Sequence, residues 1–418
     1  MTLLPLALKS LANRRFTVLL TLATIALSVA LLLGVQRVHD EARQSFASTI
    51  SGTDLIVGAR SGPINLLLYS IFHIGDATNN VSWQSYGEIA AWPDVDWAVP
   101  ISLGDSHHGF RVVGTSGDFF AHYHYGAKHA LEFSAGSPFS DLYDAVIGAE
   151  VARKLGYVIG QPIVIAHGTG ALVTEHADKP FRISGILQPT GTPVDTSVFV
   201  NLGAIEAIHA DWQSGTRIPG TEISAGAARK LDLTPTAITA FLLGLKSRVA
   251  TFDLQRQIND YRAEPLLAIL PGIALQQLWG LVGVAENALL IVSALVVVAG
   301  LLGMLNALLT TLNERRREMA ILRALGARPH IVFGMLLLEA SLLTLLGIAL
   351  GLILLYAGLA AASSYVEAHY GLHFAISLPS MREIVLLGMV CAGGVLAGCL
   401  PAWLAYRRAL GDGLSMRT

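Results

Sequence analysis

Five histidines fall within 23 residues: His107, His108, His122, His124 and His129. Imidazole nitrogens are favoured zinc ligands, and residues two apart on a strand share one face. A strand through His122 and His124 would therefore offer a joint metal contact, with zinc as the matching ion. Solvated surface histidines beside Tyr123 and Tyr125 are the other reading of the same residues. A second chemical feature is Glu339, a carboxylate inside a long apolar run. It is either a functional intramembrane acid or a hydrogen-bonded packing residue that orients its helix. Gly347 with Gly351, and Gly394 with Gly398, form G-x-x-x-G pairs, the pattern of close helix packing within or between protomers. Pro401 kinks or ends its helix. No Ser/His/Asp order and no cysteine nucleophile stands out, which disfavours an enzyme. Cys391 and Cys399 are eight residues apart on one helix, about 12 Å of rise, too far for a disulfide.

The elements that must carry these residues follow from the apolar runs. A spanning helix needs about 20 mostly apolar residues. Four segments qualify: Phe16 to Val35, Leu281 to Leu312, Ile331 to Ala362 and Glu383 to Tyr406. Together they hold only three charges, Glu286, Glu339 and Glu383. The first run is longer than a signal-peptide core of about 7–15 residues and lacks a small-residue cleavage site, so it is read as an uncleaved anchor. The expected fold class is a membrane protein of four transmembrane α-helices, with a large α+β extracytoplasmic domain between the first and second spans.

Charge sets the orientation. Lys9, Arg14, Arg15, Arg315, Arg316, Arg317, Arg323, Arg328, Arg407, Arg408 and Arg417 flank the spans, against Glu314, Glu318 and Asp412. Basic residues mark cytoplasmic loops. The N-terminus (1–15), the 313–330 loop and the C-terminus (407–418) are thus expected inside, and 36–280 outside. The 36–280 domain carries 16 basic and 23 acidic residues, and the short 363–382 loop is neutral. The chain's net charge of −2 hides this asymmetry and excludes a nucleic-acid binder that works through bulk charge.

Within the domain, helix 1 is expected to continue to about Ser51–Gly52. The Gly58 to Asn80 stretch reads either as a hairpin against the membrane surface or as a buried piece of core. Alternation predicts strands at Trp97–Ile101, Phe110–Val113, Ala145–Ile147, Pro162–Ala166, Phe181–Leu187, Ser197–Val200 and Thr239–Leu245. Helical spacing predicts helices at Gly148–Leu155, 203–212 and Thr251–Tyr261, with a loop or small subdomain over 214–236. Two lobes are expected.

The segment Asn313-Glu-Arg-Arg-Arg-Glu-Met-Ala-Ile-Leu-Arg-Ala-Leu-Gly-Ala-Arg-Pro-His330 reads as an amphipathic cytoplasmic helix. Glu314 with Arg317 and Arg315 with Glu318 are opposite charges three apart. Met319, Leu322 and Leu325 form an apolar stripe, and Gly326 ends the helix. By charge and periodicity it is a topology anchor on the bilayer surface. The string also resembles the E-R-x-x-E-I-x-x-L-R-A-L-G-A signature of the MacB/FtsX/LolC–LolE family of ABC transporter permeases. Residues 7–33, Leu336-Leu-Leu-Glu-Ala340, Gly398-Cys-Leu-Pro401 through Arg408, Val112 to Phe120 and Ile183 to Leu187 are similar to other parts of that family.

The resemblance implies that the 313–330 segment is a coupling helix docking on an ATPase subunit through Glu314, Arg315, Glu318, Ile321, Leu322, Arg323, Leu325 and Gly326. It implies a MacB-like periplasmic domain and a bacterial inner-membrane location. The expected partners are an ABC ATPase subunit, a second permease copy in a homodimer, a periplasmic protein and membrane lipid, with no nucleic acid. ATP and Mg²⁺ would sit on the ATPase, because no G-x-x-x-x-G-K-[ST] occurs in these residues. No cofactor is expected on this chain, zinc excepted. Two other functions stay open: FtsX-like signalling to a periplasmic partner, and zinc-linked transport.

Overall fold

Backbone polar groups inside a bilayer must be satisfied within the chain, and the four apolar runs do this as helices. The computed structural model describes residues 5, 9, 11–12, 14–168, 174–213, 216–217, 223–314, 328–370 and 378–411. Helices α1 (Arg15–Ser48), α2 (Pro271–Glu314), α3 (Pro329–Tyr370) and α4 (Met381–Gly411) each contain a stretch long and apolar enough to cross a membrane. Leu281, Ile291, Leu295 and Ile353 lie exposed on them, an arrangement suited to hydrocarbon rather than water. Two helices outrun their expected spans. α2 starts at Pro271, a residue well placed at a first helical position, and its 44 residues reach about 66 Å. α3 runs on to Tyr370, through residues expected to be loop.

The helices and the inserted domain form separate compact units. The inserted domain is built on nine main strands: β1 (Leu55–Ala59), β2 (Val95–His107), β3 (Phe110–Thr115), β4 (Phe133–Gly136), β5 (Asp144–Ile147), β6 (Phe181–Leu187), β7 (Ser197–Asn201), β8 (Ala240–Leu245) and β9 (Leu266–Ile269). They lie in the order β9-β1-β8-β2-β3-β7-β5-β6-β4. Short strands at Pro162–Ile163, Ala166–His167 and Thr174–Glu175 bring the sheet to twelve. β7 runs parallel to β3, and β5 parallel to β6; the other main-strand pairs are antiparallel.

Strand alternation sends one set of side chains to each face. Ile56, Val99, Val113, Val146, Phe199 and Leu242 build one cluster. The opposite face carries two. Val112, Ala145, Ile147, Val198 and Val200 belong to one, and Leu55, Val57, Phe241 and Leu243 to the other. A single continuous sheet therefore joins what the sequence separates into two lobes. Both of its faces are covered, so β1 and β5 are buried along their whole length and lack the alternation of a one-sided strand.

The ambiguous Gly58 to Asn80 stretch is a buried piece of core, and not a hairpin. It forms a helix, Pro63–Ile71, with Leu66, Leu67 and Tyr69 buried. That helix lies so close to β1 that a Cβ at Gly58 would stand 2.6 Å from Leu66 and from the Tyr69 hydroxyl. The Gly148–Leu155 prediction holds as Ala149–Leu155, ended by Gly156 in the left-handed conformation. The 203–212 helix ends earlier, at His209, because Trp212–Gln213 pairs with Thr216–Arg217. Arg229 forks onto Asp141 at 2.7 Å, and these hydrogen bonds hold the Asp141 carboxyl down at about 2.

Candidate functional site

Within the four-helix unit, glycines decide where helices touch. A Cβ at Gly347 would meet Ile25 at 2.6 Å, and one at Gly351 would meet the Ala26 carbonyl at 2.8 Å and Val29 at 2.9 Å. α3 therefore packs on α1 through this pair. Gly394 and Gly398 of α4 face Thr344 and Ala340 of α3 in the same way. Both G-x-x-x-G pairs pack within the protomer. Gly351→Leu should cost about 1–3 kcal/mol, the usual range for overpacking. The control is Gly303→Ala, whose added Cβ meets nothing within 4 Å. The check is thermal melting of the purified protein, with a lower Tm for the first variant and an unchanged or raised Tm for the second.

Polar groups stitch the same bundle. Ser28 of α1 donates to the Thr24 carbonyl at 2.7 Å and lies 3.2 Å from the Val296 carbonyl of α2. The buried Thr344 hydroxyl donates to Ala340 O at 2.9 Å and lies 3.6 Å from Met304 Sδ. Glu339 is only 3% exposed, on α3 beside the buried Ala340. It faces the bundle interior, as both sequence readings of this acid require.

Glu286 and Glu383 of the apolar runs each meet a basic side chain. Arg37 Nε of α1 lies 3.3 Å from Glu383 Oε1 of α4, and both side chains are 5% exposed. The Arg37 guanidinium also sits 5.0 Å from the Tyr356 ring of α3 and donates to Leu378 O at 3.4 Å. Glu383 is held in turn by a capping box. Its carboxylate accepts from Ser380 N at 2.7 Å, and its own N–H donates to Ser380 Oγ at 3.3 Å. His39 Nε2 of α1 lies 3.1 Å from Glu286 Oε2 of α2. Two acid–base contacts thus link α1 to α2 and α4, and the Arg37–Tyr356 ring contact adds α3; the sequence reading missed all three. The available signal was Arg37 and His39 just past the first apolar run, together with Ser380-x-x-Glu383.

Of the expected coupling residues, Glu314 closes α2. Arg315, Glu318, Ile321, Leu322, Arg323, Leu325 and Gly326 lie outside the described residues.

The expected histidine pair is not formed as the sequence suggested. His122 ends a short helix, Asp118–His122, and stacks on Trp97 with ring centroids 4.8 Å apart. His124 lies beyond it in a two-residue strand, with Nδ1 2.8 Å from His122 O. The two share no strand face, because burial of Phe119 and Phe120 fixes a helical turn where the His/Tyr alternation imitates a strand. His107 is buried on β2, with its nitrogens at Val164 O (2.6 Å) and the Tyr157 hydroxyl (2.9 Å). His108 packs its ring on His107 at a backbone φ of 47°, and His129 lies opposite Tyr125. The residues that do converge are Asp105, His167, His176 and His209. Three of them come from distant points of the chain and carry no local spacing signal.

The fold and this bundle define a class: a multi-pass membrane protein with an α+β domain inserted after its first helix. Residues 18–261 match the MacB-like periplasmic core domain, and residues 290–411 match the FtsX-like permease C-terminal domain. The chain belongs to the MacB/FtsX family of ABC transporter permeases. It is 24% identical to the macrolide export ATP-binding/permease protein MacB of Shewanella oneidensis, over 97% of this chain and 59% of that protein. It is 25% identical to the pyoverdine export ATP-binding/permease protein PvdT of Pseudomonas fluorescens, over 78% of this chain and 47% of that protein. The chain thus spans about three fifths or less of these relatives' length. Among solved structures, the periplasmic region of MacB from Actinobacillus actinomycetemcomitans aligns with a TM-score of 0.34 at 10% identity. That alignment covers 55% of this chain and 94% of the other.

Proposed function

We propose that this chain is the permease subunit of an ABC transporter, working as a homodimer with a separate ATPase chain. The observation that carries the reading is the pair of family matches, which cover both the inserted domain and the C-terminal helices. The ATPase lies outside these 418 residues, which contain no phosphate-binding G-x-x-x-x-G-K-[ST] loop. ATP-driven closure on the cytoplasmic side of the inner membrane would be transmitted to the periplasmic domains, moving or extracting a substrate at the outer face. A single α2 helix of 44 residues, running from Pro271 to the start of the coupling segment at Glu314, supports transmission through a stiff rod. The named relatives export macrolides or pyoverdine, which makes export of a substrate from the outer face the leading reading here.

The test is co-expression with a candidate ATPase and co-purification in detergent. A stable complex with stimulated ATP hydrolysis is expected. Glu318→Ala or Leu325→Ala should weaken it, since an interface hot spot is worth about 2 kcal/mol or more, roughly thirtyfold in affinity. A complex that forms equally well with both residues replaced would overturn the coupling assignment. Stimulated ATP hydrolysis coupled to activation of a periplasmic hydrolase, with no substrate movement, would instead favour signalling.

A further inference from the structure

Asp105, His167, His176 and His209 come together from four segments of the inserted domain, with their ligand atoms all within 4.8 Å of one another. Each is aimed there for an identifiable reason. The pairing of β2 with β3 shifts register between Leu103 and Asp105. Such a bulge re-aims the side chains that follow, and Asp105 is buried. His167 is the direct cross-strand partner of Asp105, so its ring falls beside the carboxylate, with Nδ1 3.1 Å from Oδ1. His209 ends the Leu202–His209 helix and donates Nδ1–H to Ile205 O at 2.9 Å. Its Nε2 lone pair is left facing the cluster, 3.0 Å from His167 Nδ1 and 3.6 Å from Asp105 Oδ1. A backbone acceptor that fixes the tautomer in this way is the usual outer-shell device of a metal-bound imidazole.

The fourth group is the most telling. His176 is 1% exposed, and among the described residues its Nε2 has no hydrogen-bond partner. A buried unsatisfied nitrogen costs about 1–3 kcal/mol, and a metal ion would be a partner for it. Trp212 packs against all three imidazoles, with ring centroids 4.8–5.5 Å away, and covers one side. The His167 side chain is 40% exposed, which leaves a route for an ion to enter. Lys179, whose charge acts on His176 and His209, is held by Asp211 at 2.8 Å and Asp178 at 3.1 Å.

We propose that these four residues form a binding site for a divalent transition-metal ion of the zinc class. Three imidazoles and one carboxylate are the donors of borderline metals and not of calcium or magnesium, which take oxygen sets. A tetrahedral zinc site has ligand atoms about 3.4 Å apart at bonds of about 2.1 Å, so small side-chain rotations close the set. On binding, the metal takes the place of the His167 Nδ1 proton that faces Asp105. A neutral ring then carries that one proton on Nε2 instead, while a charged ring, already protonated at Nε2, releases the Nδ1 proton to water. The ion would tie His167 and His176 to β2 and to the Leu202–His209 helix.

The experiment uses the full chain in detergent, purified without a polyhistidine tag and stripped with a chelator. Zinc titration against a competing chelator should give about one equivalent bound below micromolar concentration. Cobalt(II) in its place should show the intense visible bands of a tetrahedral site. Saturating zinc should raise the Tm by roughly 5–10 °C. His209→Ala and His176→Gln should each weaken binding at least about tenfold, while His122→Ala with His124→Ala leaves it unchanged. The cobalt spectrum is read on the unmodified protein, so a variant that fails to fold does not spare the proposal. Absence of stoichiometric binding, an octahedral cobalt spectrum, or binding lost only in the His122/His124 variant would each overturn it.

Discussion

Replacing Glu383 by alanine should destabilise the purified protein by about 3–5 kcal/mol, the range for removing one partner of a buried ion pair. Both charges of the Arg37–Glu383 pair are almost fully shielded. Glu383→Ala would leave the Arg37 guanidinium with the Tyr356 face and a long contact to Leu378 O, but without that carboxylate. It also removes the carboxylate that accepts the Ser380 N–H at the start of α4. Arg37→Lys should rescue little, because an ammonium cannot combine in-plane hydrogen bonding with stacking on a ring. The decisive comparison is the double variant Arg37→Met with Glu383→Leu. A buried pair exchanged for apolar groups of similar volume is often neutral, so most of the loss should return. Thermal melting of the four proteins in one detergent provides the check. A double variant no better than Glu383→Ala would mean that the pair is not the source of the effect.

A loss of similar size is expected inside the inserted domain from Asp211→Ala. Lys179 is fully buried, and the Asp211 side chain beside it is equally closed to solvent. Removing the carboxylate leaves an ammonium facing Asp178, whose side chain is 30% exposed and better solvated. A cost of about 3–5 kcal/mol follows, which at roughly 2–4 °C per kcal/mol is a Tm lowered by about 6–20 °C. Asp178→Ala should cost less than about 1 kcal/mol, as for a solvent-screened pair. Equal melting shifts for the two variants would show that burial does not set the strength of this contact.

Much of the architecture was legible in the sequence because bilayers and helices impose strong, local rules. Twenty uncharged residues from Phe16 to Val35 leave the backbone little choice. Strands with one alternating pattern, such as Phe181–Leu187, were readable to the residue. β1 was not, because both its faces are covered and its residues are continuously apolar. The start of α2 at Pro271 was not, because residues 271–280 are only mildly apolar and continue the helix without a charge change. The G-x-x-x-G pairs were visible as packing sites, but their partners on α1 and α3 were not.

Composition, span length, charge asymmetry and the 313–330 string determined by themselves that this is a four-helix membrane protein with a large insert. Each of those features is local, and each is enforced by the hydrocarbon or by the charge bias of the membrane. Only the tertiary structure decided which polar groups meet. His122 and His124, two residues apart, point to different partners, while Asp105 and His209, 104 residues apart in sequence, lie within 3.6 Å. The physical reason is that strand register, a bulge and a helix end place side chains in space. Those depend on pairings across the whole sheet and not on neighbours in the chain.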